Sequence, residues 1–194
     1  MYRRALLGIL CLAAVAIALW LFVPREPVGP AAPPPAAGEA APAAAPPALP
    51  GIPPGAFELT VESVHDGDTL RARVSTPNAV ITDLESTRVR LIGIDTPEIS
   101  PAAECWGAEA TAGLIALAPP GTTLWAASDL EVLDQYGRHL LYLWTPDGRF
   151  VNGELITQGA GSVMVFAPNT LHEGLFRSLE ADAAAAGRGL WGAC

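Results

Sequence analysis

Arg88-Val89-Arg90-Leu91-Ile92-Gly93-Ile94-Asp95-Thr96-Pro97-Glu98 is the stretch on which the reading of this chain turns. Residues 88–94 are rich in β-branched and apolar side chains and read as a strand, stopped by Pro97. Its polar residues are of two kinds only, guanidinium and carboxylate or hydroxyl, and they gather at the strand and its end. Upstream, Phe57-Glu58-Leu59-Thr60-Val61-Glu62 alternates apolar and polar residues, as a half-buried strand does. The turn His65-Asp66-Gly67-Asp68 follows, with Gly giving the permissive backbone, and Thr69–Val74 alternates again as a hairpin partner.

Downstream, residues 104–118 read as a helix with Ala and Leu on one face, ended by Pro119-Pro120-Gly121. Thr122–Ala127 and His139–Trp144 are two further strands, the second closed by the turn Thr145-Pro146-Asp147-Gly148. Val151–Gln158 reads as a short helix with Asn152 as a candidate cap and Gly159 at its stop. Asn169–Ala186 is the last helix, with Asn169 as N-cap and Gly187 as its stop. Five short strands with an interposed helix fit a small closed barrel of the OB type; an open α+β sheet is the alternative, and periodicity does not choose between them.

The termini of this block are different in kind. Met1-Tyr2-Arg3-Arg4 precedes an apolar run, residues 5–23, long enough to cross a bilayer as a helix. We expect residues 1–23 to be an uncleaved anchor, which places the remainder outside the cytoplasm; a cleaved signal peptide is the alternative. Residues 24–56 are dominated by Pro and Ala and read as a disordered spacer between the membrane and a folded domain at 57–194. The expected location is the bacterial cell envelope with the domain facing outward, or the exterior if the N-terminus is cut. In that oxidising setting, Cys105 and Cys194 are expected to form a disulfide. Closing that loop would contribute roughly 4 kcal/mol by chain entropy. Two separate buried thiols are the other possibility.

Four segments taken together, Asp66-Gly67-Asp68-Thr69, Arg90 through Glu98, Asp134-Gln135-Tyr136-Gly137-Arg138 and Val151-Asn152, resemble the staphylococcal nuclease (thermonuclease) family. The likeness extends to Pro168-Asn169-Thr170 and Gly189-Leu190-Trp191, and so spans nearly all of 57–194. It implies a mainly β, α+β fold: a five-stranded OB-fold barrel with three helices. It also implies a calcium-dependent nuclease acting on DNA and RNA. Asp68, Asp95 and the backbone carbonyl of Thr96 would hold Ca2+, a hard cation that takes oxygen ligands. Glu98 would be the general base. Arg90 and Arg138 would clamp the phosphate and stabilise transition-state charge; a salt bridge to Asp134 is the plainer role for Arg138. Tyr136 would help position substrate, packing being the alternative.

Two departures from the family pattern stand out. The tyrosines that precede the Pro-Asn segment in the family are replaced by Met164 and Phe166, of which Phe166 retains a ring that can stack on a base. The block 57–194 also carries eight arginines and no lysine against eighteen carboxylates, a formal charge of about −10. Affinity for long polyanions rests on phosphate neutralisation, so binding should be weak and salt-dependent. A non-enzymatic binding module on the same barrel is the competing reading. The chain is expected to act as a monomer.

Overall fold

A computed structural model describes residues 47–194. The expected anchor at 5–23 and most of the Pro/Ala spacer lie outside the described residues. Among those described, no helix is long and apolar enough to cross a membrane.

Strands β1 (Phe57–Val64), β2 (Thr69–Arg73), β3 (Thr87–Leu91), β5 (Thr123–Ala127) and β6 (His139–Trp144) close a barrel in the order β1-β2-β3-β6-β5. All neighbours are antiparallel except β3 and β6, which run parallel. The closed barrel settles the choice left open by periodicity. Alternation does what it predicts: Leu59 and Val61, Leu70 and Ala72, Val89 and Leu91, Leu124 and Ala126 point inward and are buried. Three helices pack outside: α1 (Gly107–Leu117), α2 (Val151–Gln158) and α3 (Glu173–Ala185), followed by a single turn α4 (Leu190–Ala193). Each helix presents an apolar stripe to the core, Ala110, Leu114 and Leu117 on α1, and Phe176, Leu179 and Ala183 on α3.

The third strand is not continuous. It was expected to run through Ile94, but the chain turns at Ile92 and Gly93, and β4 (Gly93–Asp95) leaves the barrel. Gly93 has φ +84°, and a Cβ there would lie 2.2 Å from the Phe176 ring. Only a residue without a side chain can turn there beneath a packed ring. β4 then pairs antiparallel with β7 (Ser162–Met164), a short strand that sequence patterning did not reveal.

Two expected helix caps are corrected. Asn152 lies inside α2, fully buried, and clamps rather than caps. Its Oδ1 accepts from Leu143 N (3.0 Å) and its Nδ2 donates to the carbonyls of Ile92 (2.9 Å) and Leu141 (3.4 Å). Asn169 is likewise no cap, since α3 begins at Glu173; its amide pairs with Glu131 N and O at 2.8 and 2.9 Å. The spacer also ends earlier than composition suggested. Leu49 packs against the core, and Trp144 Nε1 donates to the Pro50 carbonyl at 2.9 Å.

Candidate functional site

The turn between β1 and β2 buries a carboxylate. Asp66 Oδ1 accepts from Asp68 N at 3.0 Å, an Asx turn that fixes Asp68 at the mouth of the barrel. Asp68 Oδ2 then accepts from Thr96 N (2.9 Å) and Thr96 Oγ1 (3.1 Å), and Oδ1 from Thr69 Oγ1 (3.0 Å). Gly67 is required here, because a Cβ would sit 2.7 Å from Thr96 Oγ1.

Arg90 projects from β3 into the same space. Its Nη1 donates to the Ile94 carbonyl and lies 2.7 Å from Asp68 Oδ2, and its Nη2 donates to Asp95 Oδ1, also at 2.7 Å. One guanidinium thus joins the two carboxylates. The break at Gly93 makes this possible, since it swings Asp95 back toward the strand that carries Arg90. Two of the five N–H donors of Arg90 make hydrogen bonds, and Nη1 also forms an ion pair with Asp68. Even so, burial dominates at Asp68 and lifts its pKa from 3.8 to about 6, against the attraction of Arg90 and with a further push from Asp66. The site therefore holds a buried carboxylate that one arginine does not fully compensate. Asp95 lies beside it, half exposed. Among the described residues no group of three or more His, Cys, Asp or Glu side chains is arranged to hold a metal ion, so a hard cation such as Ca2+ would rest here on these two carboxylates and on backbone oxygens.

Arg138 stands just before β6. The parallel register pairs Val89 with His139 and Arg90 with Leu140, so Arg138 falls diagonally from Arg90 on the same face. The plainer role foreseen for it is present: Nε donates to Asp134 Oδ2 at 2.6 Å. Asp134 Oδ1 accepts from the backbone N–H groups of Tyr136 and Arg138 at 2.9 Å. Partial burial works against ionisation of Asp134, but these hydrogen bonds and the Arg138 charge outweigh it and hold the carboxyl below its usual range. The guanidinium lies 5.5 Å from the Tyr136 ring centroid. Asp134 and Tyr136 orient Arg138 by its Nε and one face. Its terminal nitrogens make no hydrogen bond among the described residues and remain able to meet a ligand.

These groups meet in one cleft of about 510 Å³, lined by Asp68, Arg90, Asp95, Glu98, Arg138, Tyr136 and Phe166 among others. Glu98 sits on the exposed loop between β4 and α1, and Tyr136 and Phe166 form an exposed aromatic rim, 64% and 70% accessible. Thr96 is buried behind Asp68, to which both its amide and its hydroxyl donate. Cys105 and Cys194 lie outside the cleft and are joined as a disulfide. Sequence reasoning missed the stitching of the rim: Asn169 ties the Phe166 loop to Glu131, and Leu171 N donates to Asp129 Oδ2 at 3.1 Å. It foresaw the salt bridge from Arg138 to Asp134, but not that the bridge engages Nε alone and leaves the far side of the guanidinium open. No local pattern distinguishes such an aspartate from an ordinary turn residue.

A family model described as staphylococcal nuclease homologue matches residues 88–193, more than half of the chain. A thermonuclease from Staphylococcus intermedius is 29% identical over 134 residues, covering 68% of this chain and 74% of that protein.

Proposed function

This chain belongs to the staphylococcal nuclease family, and from that premise we propose that it is a calcium-dependent nuclease hydrolysing phosphodiester bonds in DNA and RNA. The observation that carries the reading is the convergence of two carboxylates, two arginines and an exposed glutamate in one cleft with an aromatic rim.

Asp68, Asp95 and the Thr96 carbonyl would hold Ca2+. When bound, the ion supplies Lewis-acid polarisation of the phosphate and charge neutralisation at the carboxylates. The chain's own groups do the rest. Arg138, oriented by Asp134, donates its free terminal N–H groups to the phosphate oxygens. Arg90 gives its remaining donors to the same phosphate, and both arginines stabilise the charge that grows in the pentacoordinate transition state. Glu98 takes the proton from the attacking water, the new P–O bond forms, and the bond to the leaving oxygen breaks. Tyr136 and Phe166 receive unstacked bases at the rim.

We further propose that residues 5–23 anchor the chain and that the domain acts outside the cytoplasm as a monomer. An oxidising compartment is consistent with the exposed Cys105–Cys194 disulfide. The charge of about −10 over 57–194 favours a competing reading, a barrel that binds without cutting.

Digestion of single-stranded DNA, duplex DNA and RNA by the full chain at low salt, with calcium or with chelator, separates the two. Cleavage should need calcium. Glu98→Gln should lower kcat at least about 100-fold, and Arg138→Ala about 100- to 1000-fold, with circular dichroism unchanged. Wild-type rates in either variant overturn the site. A folded, calcium-loaded protein that cuts nothing overturns the enzyme and leaves the binding module.

A further inference from the structure

Glu98 is borne by a long exposed loop between Asp95 and α1, yet its backbone is held at both polar atoms. Its N–H donates to Glu104 Oε2 at 2.9 Å, and its carbonyl accepts from Glu104 N at 2.8 Å. Gly107, at the start of α1, presses on the same carbonyl, where a Cβ would lie 2.5 Å from the oxygen. The residue after Glu104 is Cys105, bonded to Cys194 across 89 positions. Cys194 in turn ends α4, which is fastened to the domain: Leu190 N donates to the Gly159 carbonyl at 3.0 Å, and a Cβ on Gly189 would lie 2.2 Å from that oxygen. A route therefore runs from the end of α2 to α4 by a hydrogen bond, covalently from Cys194 through the disulfide to Cys105 and Glu104, and through two hydrogen bonds to Glu98. The opposite wall of the cleft does not use this route. Arg138, Tyr136 and Phe166 sit on loops joined to each other by Asn169 and Glu131.

We propose that the Cys105–Cys194 disulfide, acting through Glu104, is the positioning element for Glu98 and makes hydrolysis sensitive to thiol reductants. The proposal rests on the reading of Glu98 as the proton acceptor. Both cysteines are exposed, so a small dithiol reaches the bond. Dithiothreitol attacks one sulfur through its thiolate, and the S–S bond breaks by way of a mixed disulfide. Two cysteine thiols form while the reagent is oxidised to its cyclic disulfide, two electrons and two protons having passed to the protein. The loop from Pro97 to Cys105 then loses its covalent link to the C-terminus. Substrate still meets the arginine and the aromatic rim, but the carboxylate no longer waits at the proton it must take.

The test measures kcat and KM of the full chain with calcium on a single-stranded oligonucleotide, before and after dithiothreitol, at a temperature where circular dichroism reports a fully folded protein. Amide hydrogen exchange at Glu98 and Glu104 is followed in parallel. Reduction should lower kcat about 10- to 100-fold with KM changed less than about 2-fold, as misplacement of a reacting group does, and should speed exchange at both amides. Cys105→Ser/Cys194→Ser should match the reduced protein and ignore the reductant. Glu104→Ala, with the disulfide intact, should reproduce the kcat loss, which separates positioning from a general loss of stability. Unchanged kcat and unchanged Glu98 exchange on reduction overturn the proposal, as does wild-type kcat in Glu104→Ala. Should the oxidised protein fail to cleave at all, the nuclease reading fails, and the amide exchange alone then decides the tether.

Discussion

Asn152→Ala tests how the cleft is held together. The Asn152 side chain is completely buried and ties α2 to two other segments: β6, at Leu143 through Oδ1 and at the Leu141 carbonyl through Nδ2, and the turn after β3, at the Ile92 carbonyl through Nδ2. Ile92 is the residue at which β3, carrying Arg90, gives way to β4, carrying Asp95. Alanine removes the partner of the Leu143 amide and of the Ile92 carbonyl. The Leu141 carbonyl is less affected, because it also accepts from Ile92 N at 3.0 Å. Two newly unpaired buried groups cost about 1–3 kcal/mol each. The void left by a carboxamide adds to this, and the better helix propensity of alanine returns only about 0.5 kcal/mol. The expected loss is about 3–5 kcal/mol, a large part of the roughly 5–15 kcal/mol that holds a domain folded. Asn152→Asp is the sharper variant, since it keeps an acceptor for Leu143 but turns a charge toward the Ile92 carbonyl. It should be at least as damaging. Guanidinium unfolding of both variants without reductant is the assay. A loss below about 1 kcal/mol in Asn152→Ala, outside the range for even one unsatisfied group, would refute the clamp.

The remaining predictions concern the same hinge and the carboxylate beneath it. Gly93→Ala combines a strained positive φ with a collision against the buried Phe176 ring, and should destabilise by about 2–4 kcal/mol in thermal or denaturant unfolding; a neutral substitution would mean the ring has room to move. Asp68 has a folded pKa raised from 3.8 to about 6, so folding favours its protonated form. Its contribution is fully present below about pH 3.8 and is lost as pH rises through about 6. In chelator, the stability of wild type relative to Asp68→Asn should therefore fall between about pH 4 and pH 6, and a rise across that window would contradict the burial argument. At neutral pH, calcium should raise the melting temperature of wild type more than that of Asp68→Asn, because binding relieves the uncompensated charge. Equal shifts would remove Asp68 from the cation site.

What could be read from the sequence was local. Alternation placed β1 and β2 to within two residues, because one face of each is buried and the period of a strand is fixed. The apolar runs of β5 and β6 were placed as closely, although Leu141–Trp144 on β6 are buried on both faces. The residue types at the ends of those strands, Asp68, Arg90, Asp95, Glu98 and Arg138, were legible as the kit for a cation and a phosphate, since few other tasks call for that mixture. What sequence could not supply was anything that depends on who the neighbour is. Asn152 and Asn169 sit where a helix cap is expected, and an asparagine amide serves a cap or a cross-chain clamp equally well; only the positions of Ile92, Leu143 and Glu131 decide. Gly93 looked like one residue of a strand, and it is the Phe176 ring, more than eighty residues later, that makes it a hinge. The chain by itself determined which side chains are apolar, charged or free of a Cβ, and hence most of the barrel strands and the list of chemical groups, while the choice of a closed barrel over an open sheet came from the structure. The tertiary structure decided which of those groups touch: that Arg90 joins two carboxylates, that Asp134 occupies one edge of Arg138 and leaves the other open, and that the C-terminal cysteine reaches back toward Glu98. Propensity and period act over a few residues, whereas burial, charge pairing and pKa are set by atoms brought close only when the barrel closes.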